Sequence, residues 1–179
     1  ETDIDIIISH IQDNPCSSYN IHIFDTWSYL NDDYLYDFYA FKNVHTLTLN
    51  DCYNTTDIHE LMNVHTLTIN NLRDLTDVSA LGSVHTLTLN NCRHISDVST
   101  LGTVRNLTLC NCFLISDVSA LGTVHNLVLD TCHNIADVSA LGTVHNLILD
   151  DCYNITDISA LGTVHNLTIR KCFNITKHN

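Results

Sequence analysis

Apolar and polar residues recur with a period of twenty positions from Val44 onward. In the segment that begins at Val124, apolar residues occupy the first, fourth, sixth, ninth, twelfth, fifteenth and eighteenth positions. These residues are Val124, Leu127, Leu129, Cys132, Ile135, Val138 and Leu141. The spacing fits neither an amphipathic helix nor a simple alternating strand. It predicts a solenoid, in which each twenty-residue coil sends side chains inward from several of its sides.

Local sequence signals divide each coil into a strand and a segment that leads back to the start of the next strand. Leu127 and Leu129 alternate with polar residues, which predicts a short strand with both leucines buried. Only twelve positions lead from Cys132 to the next strand start at Val144, so we expect 3₁₀ or extended turns on the convex side. Glycine at the nineteenth position is expected to allow a tight bend, and aspartate at the fourteenth to cap the turn through its carboxylate.

Residues 1–43 depart from this repeat. The segment Tyr19 to Asp25 alternates as a strand does, and aromatic residues are concentrated between Trp27 and Phe41. A solenoid needs a cap because the end of its core would otherwise face water. We therefore predict an N-terminal cap with a divergent first coil in residues 1–43, and seven repeats, the last one incomplete, in residues 44–179.

The repeat resembles the leucine-rich-repeat family. Val-x-x-Leu-x-Leu-x-x-Cys matches the family segment L-x-x-L-x-L-x-x-N/C. The run from Cys92 to Asp97 resembles the cysteine-containing subclass of F-box adaptor proteins, and Ile-Thr/Ser-Asp-Val/Ile-Ser-Ala-Leu resembles internalin-like repeats. Regular repeats this short are similar to those of leucine-rich-repeat proteins from large DNA viruses. The resemblance implies an α/β-type solenoid, mostly β, shaped as a horseshoe with a parallel sheet on its concave face, and a binding role without catalytic residues.

Charge narrows the classes of partner. The chain has 20 acidic and 7 basic residues and a formal net charge of −13. Nucleic acid is excluded as a partner by this balance, because phosphate binding needs a basic surface. No apolar run reaches the length of a membrane span, so we expect no membrane partner. Nearly every His, Ser and Asp belongs to a repeated column, so the sequence predicts neither an enzyme nor a cofactor.

Six of the eight cysteines share the ninth position of the repeat. They are Cys52, Cys92, Cys112, Cys132, Cys152 and Cys172. Side chains stacked in register point the same way, so we expect buried free thiols that pack as small hydrophobic groups. Free thiols indicate a reducing compartment, hence the cytoplasm, or the host-cell cytoplasm if the protein is viral.

Candidate binding residues lie at two places. The tenth position, in the loop after the strand, is the most varied and holds the aromatic and arginine side chains typical of interface hot spots. Its residues are Tyr53, Arg73, Arg93, Phe113, His133, Tyr153 and Phe173. On the sheet, Val128 and Ile148 are expected to be exposed and flanked by Asp130 and Asp150, an apolar pair rimmed by acids that suits a basic amphipathic partner.

The leading hypothesis is a non-catalytic module that binds a protein partner through the concave face and adjacent loops. The Thr and Asn ladders of that face are equally compatible with a solvated surface that binds nothing. One alternative is a self-assembling protein, a homodimer through the open edge of the last strand, Val164 to Arg170.

The other alternative is a metal-binding solenoid, since histidine recurs at the second position and stacked imidazoles are potential zinc or copper ligands. These histidines are His45, His65, His85, His125, His145 and His165, with Arg105 interrupting the column. A ladder presents ligands side by side, whereas a metal needs ligands that converge, so a structural or acid-sensitive role is favoured.

Overall fold

The computed structural model describes residues 20–24, 41, 44–52 and 58–176, which form one open parallel sheet whose strands follow chain order. The strands are β1 Asn20–Phe24, β2 Thr46–Asn50, β3 Thr66–Asn70, β4 Thr86–Asn90, β5 Asn106–Cys110, β6 Asn126–Asp130, β7 Asn146–Asp150 and β8 Asn166–Arg170. A 3₁₀ helix precedes each strand from β3 onward. These helices are His59–Asn63, Ser79–Ser83, Ser99–Thr103, Ser119–Thr123, Ser139–Thr143 and Ser159–Thr163. The predicted solenoid of parallel strands and 3₁₀ returns is confirmed.

Neighbouring strands pair in register, so that equal positions of the repeat stack on one another. Leu127 on β6 lies opposite Leu107 on β5 and Leu147 on β7. The seven core positions predicted for the coil that starts at Val124 are all buried, with exposed fractions of 1% or less. Burying one leucine contributes about 1.5–3 kcal/mol, so a one-residue shift of register would expose most of the core.

Strand β1 confirms the strand predicted from the alternation between Tyr19 and Asp25. Asn20 pairs with Thr46, twenty-six positions away, whereas later strands are offset by twenty. Ile21 is buried against the core. Most of residues 1–43, including the aromatic segment assigned to the cap, lie outside the described residues. The division into a cap and seven repeats therefore stays a prediction.

The residue after each strand has a left-handed backbone, with φ between 51° and 61°. These residues are Asp51, Asn71, Asn91, Asn111, Thr131, Asp151 and Lys171. Asn and Asp tolerate this region because their short polar side chains bond locally, an advantage that Thr131 and Lys171 lack. The left-handed residue donates its N–H to the next coil, as from Thr131 to the Asp150 carbonyl at 2.9 Å. The turn thus extends inter-coil hydrogen bonding one residue beyond the strand.

The fourteenth-position aspartates cap the 3₁₀ helices, as predicted. Asp117 Oδ1 accepts the N–H of Ser119 at 2.9 Å. The same bond forms at Asp77, Asp97, Asp137 and Asp157. Accepting the backbone N–H of the serine lowers the pKa of Asp97, Asp117 and Asp137 below the ordinary range. At Asp97 and Asp137, hydrogen bonding thus outweighs the repulsion from neighbouring carboxylates.

The role expected for the nineteenth-position glycines was wrong. No glycine has positive φ, so none is needed for a tight bend. A Cβ placed on Gly102 would instead lie 2.3 Å from the carbonyl oxygen of Ala120 in the next coil. Thr123 Oγ1 also donates to the Gly102 carbonyl at 2.7 Å. At Gly102 the absence of a Cβ thus allows the 3₁₀ helices of successive coils to come into close contact.

We expect Gly102→Ala to destabilise the protein by about 1–3 kcal/mol, because the added methyl group forces the two coils apart. The matched control is Gly162→Ala, since no described atom lies within 4 Å of a Cβ at Gly162. The control should leave stability within about 0.5 kcal/mol of wild type or raise it slightly. Urea unfolding followed by circular dichroism measures both, and equal losses in the two variants would contradict the contact argument.

Candidate interaction surface

The tenth-position side chains follow the strands, and from Arg93 to Tyr153 each contacts the next. The rings of Phe113 and His133 have centroids 5.7 Å apart, and those of His133 and Tyr153 are 4.0 Å apart. The guanidinium carbon of Arg93 lies 5.6 Å from the centroid of Phe113, within the range of a cation–π contact. We call this row the aromatic ribbon; it comprises Arg73, Arg93, Phe113, His133, Tyr153 and Phe173. Tyr53, predicted as a further member, lies outside the described residues.

Exposure varies along the ribbon, and Arg73 and Arg93 at one end of it are exposed. Phe113 and His133 are partly buried, whereas Tyr153 is 41% and Phe173 83% exposed. Leu114, which follows Phe113 in the chain, is 48% exposed. It was not among the predicted binding residues, although the eleventh position is polar in the neighbouring coils and an apolar residue there is a signal in the sequence. Exposed apolar side chains grouped on one surface mark interaction sites.

Two members of the ribbon are held in place by different means. Arg93 Nε donates to Asn91 Oδ1 at 2.7 Å, and Asn91 Nδ2 donates to Asn71 Oδ1 at 2.6 Å. His133 Nδ1 is buried and has no hydrogen-bond partner among the described residues. The His133 ring is therefore held by stacking against Phe113 and Tyr153.

The sheet patch around Val128 and Ile148 differs from expectation. Both side chains are partly buried, because they stand opposite each other on β6 and β7 and cover one another. The nearby Asp130 accepts hydrogen bonds from Thr131 Oγ1 at 2.8 Å and from Cys110 Sγ at 3.4 Å. This carboxylate thus has partners within the protein.

Asp150 has cationic neighbours from the last coil. Its carboxylate lies 3.8 Å from an Arg170 nitrogen and 3.7 Å from Lys171 Nζ. Neither distance is a hydrogen bond, and Asp150 Oδ1 is buried without a hydrogen-bond partner among the described residues. Both cations are largely exposed, so the pairs contribute at most about 1 kcal/mol. Their charge still offsets that of Asp150 toward an incoming ligand.

The third-position side chains of the sheet form an amide ladder. Asn106 Nδ2 donates to Thr86 Oγ1 at 2.9 Å, and Asn126 and Asn166 each donate to the preceding asparagine at 2.5 Å. Asn146 donates to Asn126 in the same way. The amides use much of their bonding capacity on one another, as expected for a self-satisfied face.

The second-position imidazoles stack in two groups of three, separated by Arg105. Centroids of adjacent rings are 4.5–4.7 Å apart throughout both groups. Parallel stacked rings hold their nitrogens side by side. Among the described residues no three His, Cys, Asp or Glu side chains are grouped so as to hold a metal ion. The arrangement therefore lends no support to the metal-binding alternative.

Stacking affects the protonation of two of these histidines. Desolvation lowers the pKa of His65, and the neighbouring His85 and His45 lower it further. Desolvation also lowers the pKa of His125, followed by the charges of Arg105 and His145. Protonation of His65 and His125 is thus disfavoured in the folded state.

The described cysteines are free thiols, as predicted. In the ninth-position column, Cys132 Sγ donates to the Leu109 carbonyl of the preceding coil at 3.5 Å and to the Asp130 carbonyl at 3.4 Å. Burial raises the pKa of Cys132 and Cys92 to about 11 and that of Cys152 to about 12. Neutral buried thiols are poor nucleophiles, so the column is structural.

In-register parallel strands, 3₁₀ returns and the Leu-x-Leu-x-x-Cys segment together define a leucine-rich-repeat solenoid. Among solved structures, the chain is similar to the internalin InlF of Listeria monocytogenes, with 27% identity and a TM-score of 0.54. The match covers 74% of this chain and 42% of that one, so the chain spans less than half of the InlF structure.

Two weaker likenesses are to other proteins of the same bacterium. Internalin C2 is 19% identical over 73% of each chain, with a TM-score of 0.41. A functional domain of InlJ that includes a cysteine ladder is 15% identical over 80% of this chain and 43% of that one, with a TM-score of 0.37. No model of a protein family and no curated protein matches the chain.

The predicted resemblance to leucine-rich-repeat proteins and to internalins is thus confirmed, whereas these matches give no support to a viral similarity. No helix in the described part of the chain is long and apolar enough to span a bilayer.

Acidification from about pH 7.5 to about pH 5.5 should destabilise the protein. The unfolded histidines, with a pKa of about 6.5, take up protons that folded His65 and His125 resist, so stability is lost as the pH falls through that value. The capped aspartates add a separate loss only below about pH 4. Urea midpoints at the two pH values measure the effect.

The double variant His65→Gln, His125→Gln should lose less stability on acidification than wild type. His94→Gln, which removes an imidazole outside the stacked column, is the matched control and should behave as wild type does. An unchanged acid loss in the double variant would show that the stacked column is not its source.

Proposed function

We propose that the protein is a non-catalytic module that binds another protein through the aromatic ribbon and the adjoining sheet surface. The observation that carries the proposal is the row of contacts from Arg93 to Tyr153, in which Tyr153 is stacked and still 41% exposed. Similarity to an internalin supports an interaction role, since repeat solenoids present extended surfaces that bind proteins.

The ribbon has the energetic features of a binding hot spot. Aromatic and arginine side chains dominate interface energies, and the ribbon contains both kinds. Stacking and the Arg93–Asn91 bond fix several of these side chains before a partner arrives. Preorganisation lowers the entropy that is lost on binding, so more of the contact energy is retained as affinity.

The size of the surface indicates that the ribbon does not act alone. Five coil steps separate Arg73 from Phe173, about 24 Å at an inter-strand spacing of about 4.8 Å. A stable protein interface buries about 800 Å² on each partner. We therefore include the adjoining sheet residues Val128 and Ile148, together with Leu114, in the proposed surface.

The experiment is affinity capture of partners from cell lysate, with Phe113→Ala and Tyr153→Ala compared with wild type. Each truncation should weaken capture at least about tenfold, the effect of removing a hot-spot side chain. Ala136→Thr is the matched control, because this exposed thirteenth position of the repeat already holds Thr76 and Thr156 in other coils. Partners captured equally by wild type and both truncations would contradict a role for the ribbon.

A further inference from the structure

We propose that the aromatic ribbon binds an extended protein segment in a fixed direction, with carboxylates at the Arg73 and Arg93 end and apolar side chains at the Phe113 to Phe173 end. This inference rests on the proposed function and adds the chemistry of the partner. It is the opposite of the basic partner that the net charge of the chain would suggest.

The distribution of charge along the ribbon is uneven. Arg73 and Arg93 occupy the same position in neighbouring coils, so their side chains emerge side by side. The positions that follow in the ribbon hold two phenylalanines, a histidine and a tyrosine, without a carboxylate. Asp74 follows Arg73 in the chain and is the acid nearest to this end in sequence. The ribbon is therefore cationic at one end and aromatic at the other, within a protein whose net charge is −13.

Arg93 is oriented for carboxylate recognition. Its Nε is bound to Asn91 Oδ1, and its guanidinium carbon lies over the Phe113 ring. Asn91 is itself fixed by its left-handed backbone and by the bond to Asn71. A planar guanidinium held in this way presents its remaining N–H donors in a fork that matches a carboxylate.

The ribbon has the length of a short extended segment. Its span of about 24 Å corresponds to about seven residues at about 3.3 Å per residue. Because cationic and aromatic ends are separated along this axis, a bound segment gains both contacts in only one orientation. Direction is thus set by the order of side chains in the ribbon.

On the sheet face, a basic partner would use Asp130 and Asp150. Asp130 already accepts bonds from Thr131 and Cys110, and Asp150 lies beside Arg170 and Lys171. A basic ligand would compete with these internal partners, whereas the ribbon arginines face solvent. The structure therefore favours the ribbon and an acidic segment.

Selection of random dodecapeptides displayed on phage against the immobilised full chain tests the proposal. Enriched peptides should share acidic residues at one end and aromatic or leucine residues at the other. A synthetic copy of an enriched peptide should bind at least about tenfold more weakly to Arg93→Glu, because a charge-assisted contact is replaced by repulsion. The same peptide with its residue order reversed should also bind more weakly.

Arg105→Glu is the matched control, because it makes the same change in net charge at an exposed arginine in the histidine column. It should change binding by about twofold or less, the effect of long-range charge alone. Thermal unfolding checks that each variant is folded, and Arg93→Gln replaces Arg93→Glu if the latter is not. Binding to Arg93→Gln should again be weaker than to wild type.

The outcomes separate the two proposals. One outcome is that enriched peptides require Phe113, as shown by weaker binding to Phe113→Ala. If these peptides have no acidic end, or bind Arg93→Glu as well as wild type, the acidic partner is overturned and the ribbon remains a binding site. A basic consensus would overturn the acidic partner in the same way. Failure to enrich any peptide, or peptides that bind Phe113→Ala normally, would overturn both.

Discussion

The structure depends on the in-register stacking of successive coils at the spacing of hydrogen-bonded parallel strands. This single constraint aligns leucine with leucine in the core and asparagine with asparagine on the sheet. It also decides what each surface can offer, because any feature present in one coil is repeated a few ångströms away in the next. Function in such a molecule must come from the positions where the repeat varies. The ribbon at the tenth position is the clearest of these.

The core and the strands could be predicted because burial acts directly on the sequence pattern. Leu127 and Leu129 are apolar because they face the interior of their own coil. The aspartate that caps each 3₁₀ helix likewise bonds within its own coil. The close contact at Gly102 could not be predicted in this way, since the atom it avoids belongs to Ala120 in another coil. A single coil gives no information on how closely its neighbour approaches.

The candidate site shows the same division between local and inter-coil information. Register alone implied that Phe113, His133 and Tyr153 are neighbours, but not that their rings stack at 4.0–5.7 Å. Val128 was expected to be exposed because it points away from the core of its own coil, yet Ile148 on the adjacent strand covers part of it. The left-handed turns were a signal that could have been found, since Asn and Asp recur directly after the strands.

The side-chain hydrogen bonds that join neighbouring coils have a common polarity in three columns. Asn126 donates to Asn106, Thr123 to Gly102 and Cys132 to Leu109, so the donor always belongs to the later coil. Aligned bond dipoles reinforce one another along the axis. In these three columns each described coil thus turns donors toward the preceding coil and acceptors toward the following one. A coil inserted end over end would place donor against donor and acceptor against acceptor at these contacts.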